Sequence, residues 1–244
     1  MKTLITKAQS CKQTVLSLLT MGERYLQERG FENPRQEAEE LLFTLLSLTR
    51  IDLYLDPYRS ISNDDYDAFL NRIIRRGQHE PLQYITGQVD FCGLTLAVSP
   101  GVFIPRPETE LIVDEASRLS YAPHAILELC TGSGALAIAL AKQFPLAKIT
   151  AIDCSEIALE TARFNQQRHQ ANQVTFLKGD LFSPLTPQAN QYDLIVCNPP
   201  YIAKQDTATM DTSVLLFEPP LALFSDDSGL AHIKRVLTDA PLFL

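Results

Sequence analysis

From residue 125 onward, short apolar runs with the character of β-strands alternate with runs of helical character. The strand-like runs cover residues 125–129, 148–152, 174–177 and 192–197, and the helix-like runs cover residues 133–144, 155–167 and 227–237. Such alternation is typical of a doubly wound parallel sheet, in which ligands bind at the carboxyl ends of the strands. The sequence therefore predicts an α/β domain whose site lies where these strands end.

The last strand-like run is followed directly by Asn198, Pro199, Pro200 and Tyr201. Two successive prolines end a strand, and they remove two backbone N–H donors while their carbonyl oxygens stay free. The loop is therefore stiff and rich in acceptors, with an amide at one end and an aromatic ring at the other. It suits a planar ligand group with two N–H donors, such as an amide or an exocyclic amine. An ordinary proline turn is the alternative interpretation.

The first strand-like run leads into a glycine-rich loop, Glu128-Leu129-Cys130-Thr131-Gly132-Ser133-Gly134. With Ala137 the loop fits G-x-G-x-x-G/A, and Asp153 follows about 20 residues later, as in a dinucleotide fingerprint. The pattern indicates a nucleotide-like ligand whose ribose hydroxyls donate to Asp153. Glu128 at the mouth of the loop would repel a pyrophosphate and favour a cation, such as the sulfonium and ammonium groups of S-adenosylmethionine. A nicotinamide cofactor remains the alternative.

Gly179, Asp180 and Leu181 follow the third strand-like run. Asp180 can accept a hydrogen bond from an adenine amino group, and Leu181 can cover one face of the ring. A surface turn is the alternative interpretation of this acidic residue. Asp153, Asp180 and Asn198 each follow a strand end, and in a parallel sheet these ends share one edge. We therefore expect the three side chains to line one pocket.

Before the α/β region, the chain has two parts of different character. Residues 1–80 contain three amphipathic patterns, near residues 10–29, 34–46 and 63–76, which predict a small helical bundle. This bundle would serve as a docking module for a partner or as a structural cap. Residues 81–108 are rich in glycine and proline, with β-like runs at 91–98 and 102–104, and predict a hairpin linker. Residues 109–244 would then form the α/β domain.

The composition limits the partners and the compartment. The net charge of −8 argues against a protein held on nucleic acid by phosphate contacts. No apolar run is long enough to span a membrane, and the N-terminus lacks a signal-peptide pattern. The five cysteines form no C-x-x-C pair, so we expect reduced, packed thiols in a cytoplasmic protein without a metal site. The four histidines are expected at the surface or in packing, and the chain is expected to be a monomer.

Five motifs in this order resemble the HemK/PrmC family, the glutamine N5-methyltransferases that modify peptide chain release factors. They are residues 103–110 (Phe-Ile-Pro-Arg-Pro-Glu-Thr-Glu), residues 128–134, Asp153, Asp180 and residues 198–201. The Asn-Pro-Pro-Tyr loop alone is shared with DNA adenine-N6 and RNA guanine-N2 methyltransferases, whereas residues 103–110 are more particular to this family. The resemblance extends over nearly the whole chain.

Two further segments bear on this resemblance. Phe217-Glu218-Pro219 with Leu221-Ala222-Leu223 is similar to the family's Tyr-Glu-Pro…Ala-Leu segment, with Phe217 in place of tyrosine. Cys130 stands where many members have glycine, and its small side chain would be tolerated there.

The resemblance implies a Rossmann-like class I methyltransferase domain that uses S-adenosylmethionine and releases S-adenosylhomocysteine. The implied substrate is the glutamine in the Gly-Gly-Gln loop of bacterial-type release factors. Asn198, Pro199 and Tyr201 would be catalytic, and with Pro200 they would bind the substrate. Phe103, Arg106 and Glu218 would line the substrate side. The implied cofactor contacts are Glu128, Cys130, Thr131, Gly132, Ser133, Gly134, Asp153, Asp180, Leu181 and Asn198.

One departure concerns the C-terminal end of the domain. The family's sheet resembles a seven-stranded one, but this sequence stops at residues 241–244, soon after the fifth helix of the domain. We therefore expect a truncated domain without the last three strands, in which the fourth strand is an exposed apolar edge.

Three other functions remain open at this point. A nucleic-acid amino methyltransferase would use the same four-residue loop but should bring a basic face. A protein that docks on release factors without turnover would keep the fold and lose the chemistry. A nicotinamide oxidoreductase is supported by the glycine-rich loop alone.

Overall fold

The computed structural model of this chain describes residues 13–188 and 191–244. It divides into a helical unit that ends at Thr86 and an α/β unit over Gly87–Leu244. The part of the first predicted helix before residue 13 lies outside the described residues. In the described part of the chain, no helix is both long enough and apolar enough to cross a membrane.

The helical unit consists of helices packed around a shared apolar core. They are α1 (Val15–Gln27), α2 (Pro34–Leu46), α3 (Arg50–Leu55), α4 (Asn63–Arg76) and α5 (Leu82–Thr86). Leu18, Leu41 and Phe69, from the three longest helices, are buried in this core. Ser62 caps α4 by accepting the N–H of Asp65. The three predicted helices are confirmed as α1, α2 and α4, whereas the short helices α3 and α5 have too few residues to show a periodicity.

The α/β unit begins with an antiparallel hairpin, β1 (Gln88–Phe91) and β2 (Leu94–Ala97). The predicted hairpin is present and β2 lies within the predicted run 91–98, but the run is not continuous, because Cys92 and Gly93 take φ values of 47° and 72° and make the hairpin turn. The prediction of a strand at residues 102–104 is wrong. The N–H of Ile104 donates to the carboxylate of Glu218 instead of to a neighbouring strand.

Four parallel strands form the sheet of this unit, in the order β5-β4-β3-β6. They are β3 (Ala125–Leu129), β4 (Lys148–Asp153), β5 (Val174–Lys178) and β6 (Leu194–Cys197). Leu129 at the end of β3 is in register with Ile152 on one side and with Cys197 on the other. The carboxyl ends of these strands are therefore level, and the four predicted strands are confirmed. Among the described residues, no strand pairs with the outer edge of β6.

Helices and short 3₁₀ turns connect these strands. The helices are α6 (Glu110–Ser117), α7 (Ala135–Gln143), α8 (Glu156–His169), α9 (Thr212–Phe217), α10 (Pro220–Leu223) and α11 (Ala231–Asp239). The 3₁₀ turns are Pro107–Thr109, Lys204–Thr209 and Ala240–Leu242. The predicted helix at residues 227–237 begins later, because Asp227, Ser228 and Gly229 have positive φ angles that a right-handed helix does not allow.

Both faces of the sheet are covered. On one face, Ile126 and Ile149 pack against the buried alanines and leucines of α7. On the other face, Leu127 packs in a cluster with Phe182 and Phe243, whose rings stack at 4.8 Å. Burial on both faces accounts for the continuous apolar runs of the strands, since neither face needs polar side chains. The covered sheet holds the carboxyl ends of its strands in a fixed position at one edge.

Candidate functional site

A cavity of about 470 Å³ opens at the carboxyl ends of the strands. Nearly all residues predicted for the site line it: Glu128, Cys130, Thr131, Gly132, Ser133, Asp153, Asp180, Leu181, Asn198, Pro199, Pro200 and Tyr201. Gly134 does not line the cavity. A Cβ atom on Gly134 would lie 3.0 Å from Cβ of Ala162, so this glycine allows the loop to pack closely against α8.

The glycine-rich loop contains three left-handed residues in alternate positions. Cys130, Gly132 and Gly134 have φ values of 60°, 57° and 79°. Glycine adopts this conformation at no steric cost, whereas a cysteine there costs about 1 kcal/mol. The thiol of Cys130 shares a hydrogen bond with Cys197, and this contact together with burial raises the pKa of Cys130. The thiol therefore stays protonated and packs, rather than acting as a nucleophile.

Asp153 holds the loop in this shape. One carboxylate oxygen of Asp153 accepts the N–H of Gly132 at 2.8 Å, and the other accepts the N–H of Ser155 at 2.9 Å. Burial raises the pKa of Asp153, although these backbone donors oppose that effect. Cys154 also donates to this carboxylate, so only a small part of its roughly four lone-pair positions is left for further donors such as ribose hydroxyls. The residue therefore shapes the loop as well as facing the cavity.

Glu128 is a buried carboxyl group without a cationic partner among the described residues. Its side chain accepts the hydroxyl of Thr131 at 2.5 Å, and the residue is 2% exposed. Burial raises the pKa of Glu128 to about 8, and the charge of Asp153 adds to this shift. The carboxyl group is therefore mostly protonated near pH 7. A cation in the cavity would favour its ionised form.

Two other buried polar groups bear on what the cavity can hold. Ser133 is 1% exposed, and its hydroxyl has no hydrogen-bond partner among the described residues. An unpaired buried hydroxyl is costly, so Ser133 has capacity to pair with a water molecule or a polar ligand atom. Asn165 of α8, which the sequence does not single out, is fully buried. Its amide binds both backbone groups of Ala97 and the carbonyl of Ser133, and so ties the glycine-rich loop to the hairpin.

Asp180 lies at the cavity wall in an ion pair. Its two carboxylate oxygens accept from Arg235 of α11 at 3.2 and 2.8 Å. Arg235 and His232 lie three residues apart on α11 and both line the cavity. Nδ1 of His232 is 2.7 Å from the hydroxyl of Ser225, so this histidine is hydrogen-bonded, as expected of a packing residue, and also faces the site. The sequence gives no sign of Arg235, because α11 is far from Asp180 along the chain.

The Asn198–Tyr201 loop is held at both ends. The side-chain N–H of Asn198 donates to the hydroxyl of Thr109 at 3.2 Å. Beyond the loop, Ile202 and Phe224 form a parallel bridge. Gly229 lies against the carbonyl oxygen of Tyr201, and a Cβ atom on Gly229 would come within 2.2 Å of that oxygen. The Tyr201 side chain is 59% exposed and free to contact a ligand.

Only part of the predicted substrate side lines the cavity. Phe103 does so, whereas Arg106 and Glu218 are not among its lining residues, and their place on the substrate side stays a prediction. Instead, the buried carboxylate of Glu218 forms an ion pair with Arg106, whose guanidinium lies 4.9 Å from the ring centroid of Phe103. The physical reason is that a buried carboxylate requires a charged partner. The pair joins the segment that contains Phe103 to the segment after Phe217.

These features together define a class I S-adenosylmethionine-dependent methyltransferase domain. The glycine-rich turn follows the first strand of a parallel sheet, and the acidic residue Asp153 ends the second. The buried carboxyl group of Glu128 lies where a dinucleotide-binding site would hold a pyrophosphate. Residues 17–87 match the family described as PrmC N-terminal domain, and residues 94–226 match the family described as Methyltransferase small domain.

Three curated relatives are release factor glutamine methyltransferases. The relative from Geobacter sulfurreducens is 41% identical over 233 residues, which are 95% of this chain and 80% of that protein. The relative from Koribacter versatilis is 40% identical over 217 residues, covering 87% of this chain and 76% of that protein. The relative from Rhodopirellula baltica is 37% identical over 234 residues, covering 93% and 79%.

The chain belongs to the family of release factor glutamine methyltransferases. The predicted resemblance, fold class, enzyme class and methyl donor are thereby confirmed. The roles of individual residues in the site remain predictions.

Proposed function

We propose that this chain transfers a methyl group from S-adenosylmethionine to the side-chain amide nitrogen, N5, of the glutamine in the Gly-Gly-Gln motif of bacterial-type peptide chain release factors. One observation carries the proposal. The acceptor-rich loop of residues 198–201 and the glycine-rich loop with Glu128 line the same cavity. A planar amide and a cationic methyl donor therefore fit side by side in one site.

The cavity has groups suited to the methyl donor. Within the described part of the chain, the buried carboxyl of Glu128 has no cationic partner and the buried hydroxyl of Ser133 has no hydrogen-bond partner. The donor would be held by Glu128, Cys130, Thr131, Gly132, Ser133, Gly134, Asp153, Asp180, Leu181 and Asn198. When bound, S-adenosylmethionine supplies an electrophilic methyl group on a sulfonium and is released as S-adenosylhomocysteine.

The Asn198–Tyr201 loop would act on the substrate amide. An amide nitrogen is a weak nucleophile because its lone pair is delocalised into the carbonyl group. The side-chain oxygen of Asn198 and the carbonyl oxygen of Pro199 each accept one N–H of the glutamine, which fixes the nitrogen with one face free. Pro200 keeps the loop stiff, and Tyr201 packs against the amide plane. Positioning of this kind can supply a large part of the rate.

The same two acceptors also favour the reaction electrostatically. Positive charge develops on the glutamine nitrogen as its bond to the methyl carbon forms, and fixed oxygens beside it stabilise that charge. The nitrogen then loses a proton to solvent. Since this proton becomes acidic only after the new bond has formed, no strong base is needed beforehand.

The partner would contact the helical unit as well as the site. We place release-factor docking in residues 1–80, a linker in residues 81–108 and the methyltransferase domain in residues 109–244. The helical unit has exposed apolar side chains on and beside α3, with Ile51, Leu55 and Tyr58 exposed by 69%, 76% and 72%. These support a protein partner rather than nucleic acid. The enzyme would work as a monomer in the cytoplasm, where release factors act.

Methyl transfer from labelled S-adenosylmethionine to a purified bacterial-type release factor tests this function. The control is the same factor with its Gly-Gly-Gln glutamine changed to alanine. We expect labelling of the first factor and none of the second. Labelling that persists in the alanine variant would place the methyl group elsewhere, and labelling of RNA or DNA alone would favour a nucleic-acid amino methyltransferase. Binding of the release factor without any labelling would favour a docking protein that has no turnover.

A further inference from the structure

The side chain of Asn198 is oriented by a residue 89 positions earlier in the chain. Its Nδ2 lies 3.2 Å from the hydroxyl oxygen of Thr109, which closes the 3₁₀ turn Pro107–Thr109. The oxygen and the nitrogen of an asparagine amide are the two branches of one planar group at Cγ, so with Nδ2 at Thr109, Oδ1 points in a different direction within that plane. No described residue donates to Oδ1 of Asn198. The acceptor is therefore free for a ligand.

Thr109 is held in place from both sides along the chain. Before it, the buried carboxylate of Glu218 accepts the N–H of Ile104 at 3.3 Å and pairs with Arg106. After it, Glu110 accepts the N–H of Cys92 at 2.9 Å. These contacts join the turn to the α9–α10 connection and to the hairpin. The backbone on both sides of Thr109 is thus anchored beside Asn198.

We infer that Thr109 is a positioning residue for methyl transfer, which holds the side chain of Asn198 in place with Oδ1 available to the substrate amide. The inference rests on the proposed function of Asn198 as an acceptor. In the opposite orientation, the NH₂ group of Asn198 would face the N–H groups of the glutamine, and two donors would oppose each other. Thr109 acts through Asn198 and needs no contact with the reacting atoms.

Three variants of the full chain test this role by steady-state kinetics on a release factor. Thr109→Val removes the hydroxyl at nearly constant volume, and we expect kcat to fall about 10-fold, which corresponds to one lost hydrogen bond. The KM for the release factor and the Kd for S-adenosylhomocysteine should change less than kcat, because Asn198 is only one of the groups that hold each ligand. Thr109→Ser restores the hydroxyl and should regain most of the lost rate. Thr161→Val is the matched control, because that exposed hydroxyl bonds only its own helix.

A double-mutant cycle separates positioning from a general structural role. In the Asn198→Ala background, Thr109→Val should cause no further loss of kcat, because the side chain it orients is absent. Equal losses in both backgrounds would overturn the inference. So would a wild-type kcat in Thr109→Val, or a Thr109→Ser variant as slow as Thr109→Val.

A measurement without turnover keeps this inference separate from the proposed function. In ¹⁵N-labelled protein, the Asn198 side-chain NH₂ resonances can be assigned by their loss in Asn198→Ala. We expect these resonances to shift in Thr109→Val and to stay near their wild-type positions in Thr109→Ser. Unchanged resonances in Thr109→Val would overturn the orientation, even if the release factor is methylated. If the wild-type chain leaves release factors unlabelled, the proposed function is contradicted. The spectra would still show whether Thr109 binds the side chain of Asn198.

Discussion

Arg106 and Glu218 lie 112 residues apart in the sequence and form an ion pair whose carboxylate side is 1% exposed. The same carboxylate accepts the N–H of Ile104. The pair therefore joins the segment before Thr109 to the segment after α9, and both segments border the cavity. Loss of this ion pair should therefore lower the stability of this part of the fold, and any effect on methyl transfer should be indirect.

Removal of one partner of this pair is predicted to destabilise the protein. Arg106→Ala leaves the buried carboxylate of Glu218 without its cation, and we expect the free energy of unfolding to fall by about 2–3 kcal/mol. The control is Arg118→Ala, because Arg118 and Glu115 are 71% and 68% exposed and such pairs contribute about 0–1 kcal/mol. Urea unfolding of both variants measures the difference. Equal losses in the two variants would show that the buried Arg106–Glu218 pair contributes no more to the free energy of unfolding than an exposed pair does.

A second prediction concerns the protonation of Glu128. Since burial raises the pKa of Glu128 to about 8, binding of a cationic ligand near pH 7 should release a proton from this group. The affinity for S-adenosylmethionine should accordingly rise as the pH increases towards 8. Calorimetry in buffers of different ionisation enthalpy measures the released proton. Glu128→Gln should abolish the release, and a release that persists in this variant would assign the proton to another group.

The same carboxyl group predicts how stability without ligand depends on pH. The unfolded chain ionises this glutamate near its ordinary pKa of 4.5, whereas the folded chain keeps the proton up to about pH 8. Between these values the folded state binds more protons, so the free energy of unfolding should decrease as the pH rises. Glu128→Gln removes this contribution, and the slope of stability against pH should become less negative. An identical slope in both proteins would contradict the raised pKa.

Gly229 is predicted to be necessary for the shape of the Asn198–Tyr201 loop. Gly229→Ala would place a methyl group 2.2 Å from the carbonyl oxygen of Tyr201, at a φ of +88°. Gly93→Ala is the matched control, with a φ of +72° and no atom within 4 Å of the added methyl group. Both variants should lose about 1 kcal/mol of stability from the left-handed backbone. Only Gly229→Ala should also lose methyl transfer. An equal effect of both substitutions on kcat would show that Gly229 has no special role in shaping the loop.

Asn198→Ala separates binding from chemistry. We expect the Kd for S-adenosylhomocysteine to change little, while kcat falls by about 10²-fold or more, the effect of removing one fixed electrostatic partner. Calorimetry and single-turnover labelling of the release factor measure the two quantities. An equal loss of cofactor binding and turnover would contradict this division of roles.

The sequence predicts the sheet well because each strand is ended by residues with strong local preferences. Pro199 and Pro200 stop β6, and Gly132 opens the turn after β3. Since parallel strands bring their carboxyl ends together, the cavity follows from the alternation of strands and helices alone. Local chemistry and topology were thus sufficient to place Glu128 and Asp153 at one site.

Other features depend on contacts between distant parts of the chain. The partners Asp180 and Arg235 are 55 residues apart, Asn165 and Ala97 are 68 apart, and Thr109 and Asn198 are 89 apart. No periodicity within one segment carries such information. The short helices α9 and α10 were not predicted for a related reason, since a helix of one or two turns is stabilised mainly by what it packs against.

The level ends of the strands imply that the site tolerates changes of residue type better than changes of chain length. Leu129, Ile152 and Cys197 stand in one row across β3, β4 and β6. One inserted residue in β6 would advance the loop after it by about 3.3 Å and turn each later side chain to the opposite face of the sheet. Insertions and deletions should therefore be confined to the connections on the other edge, where the amino ends of the strands begin.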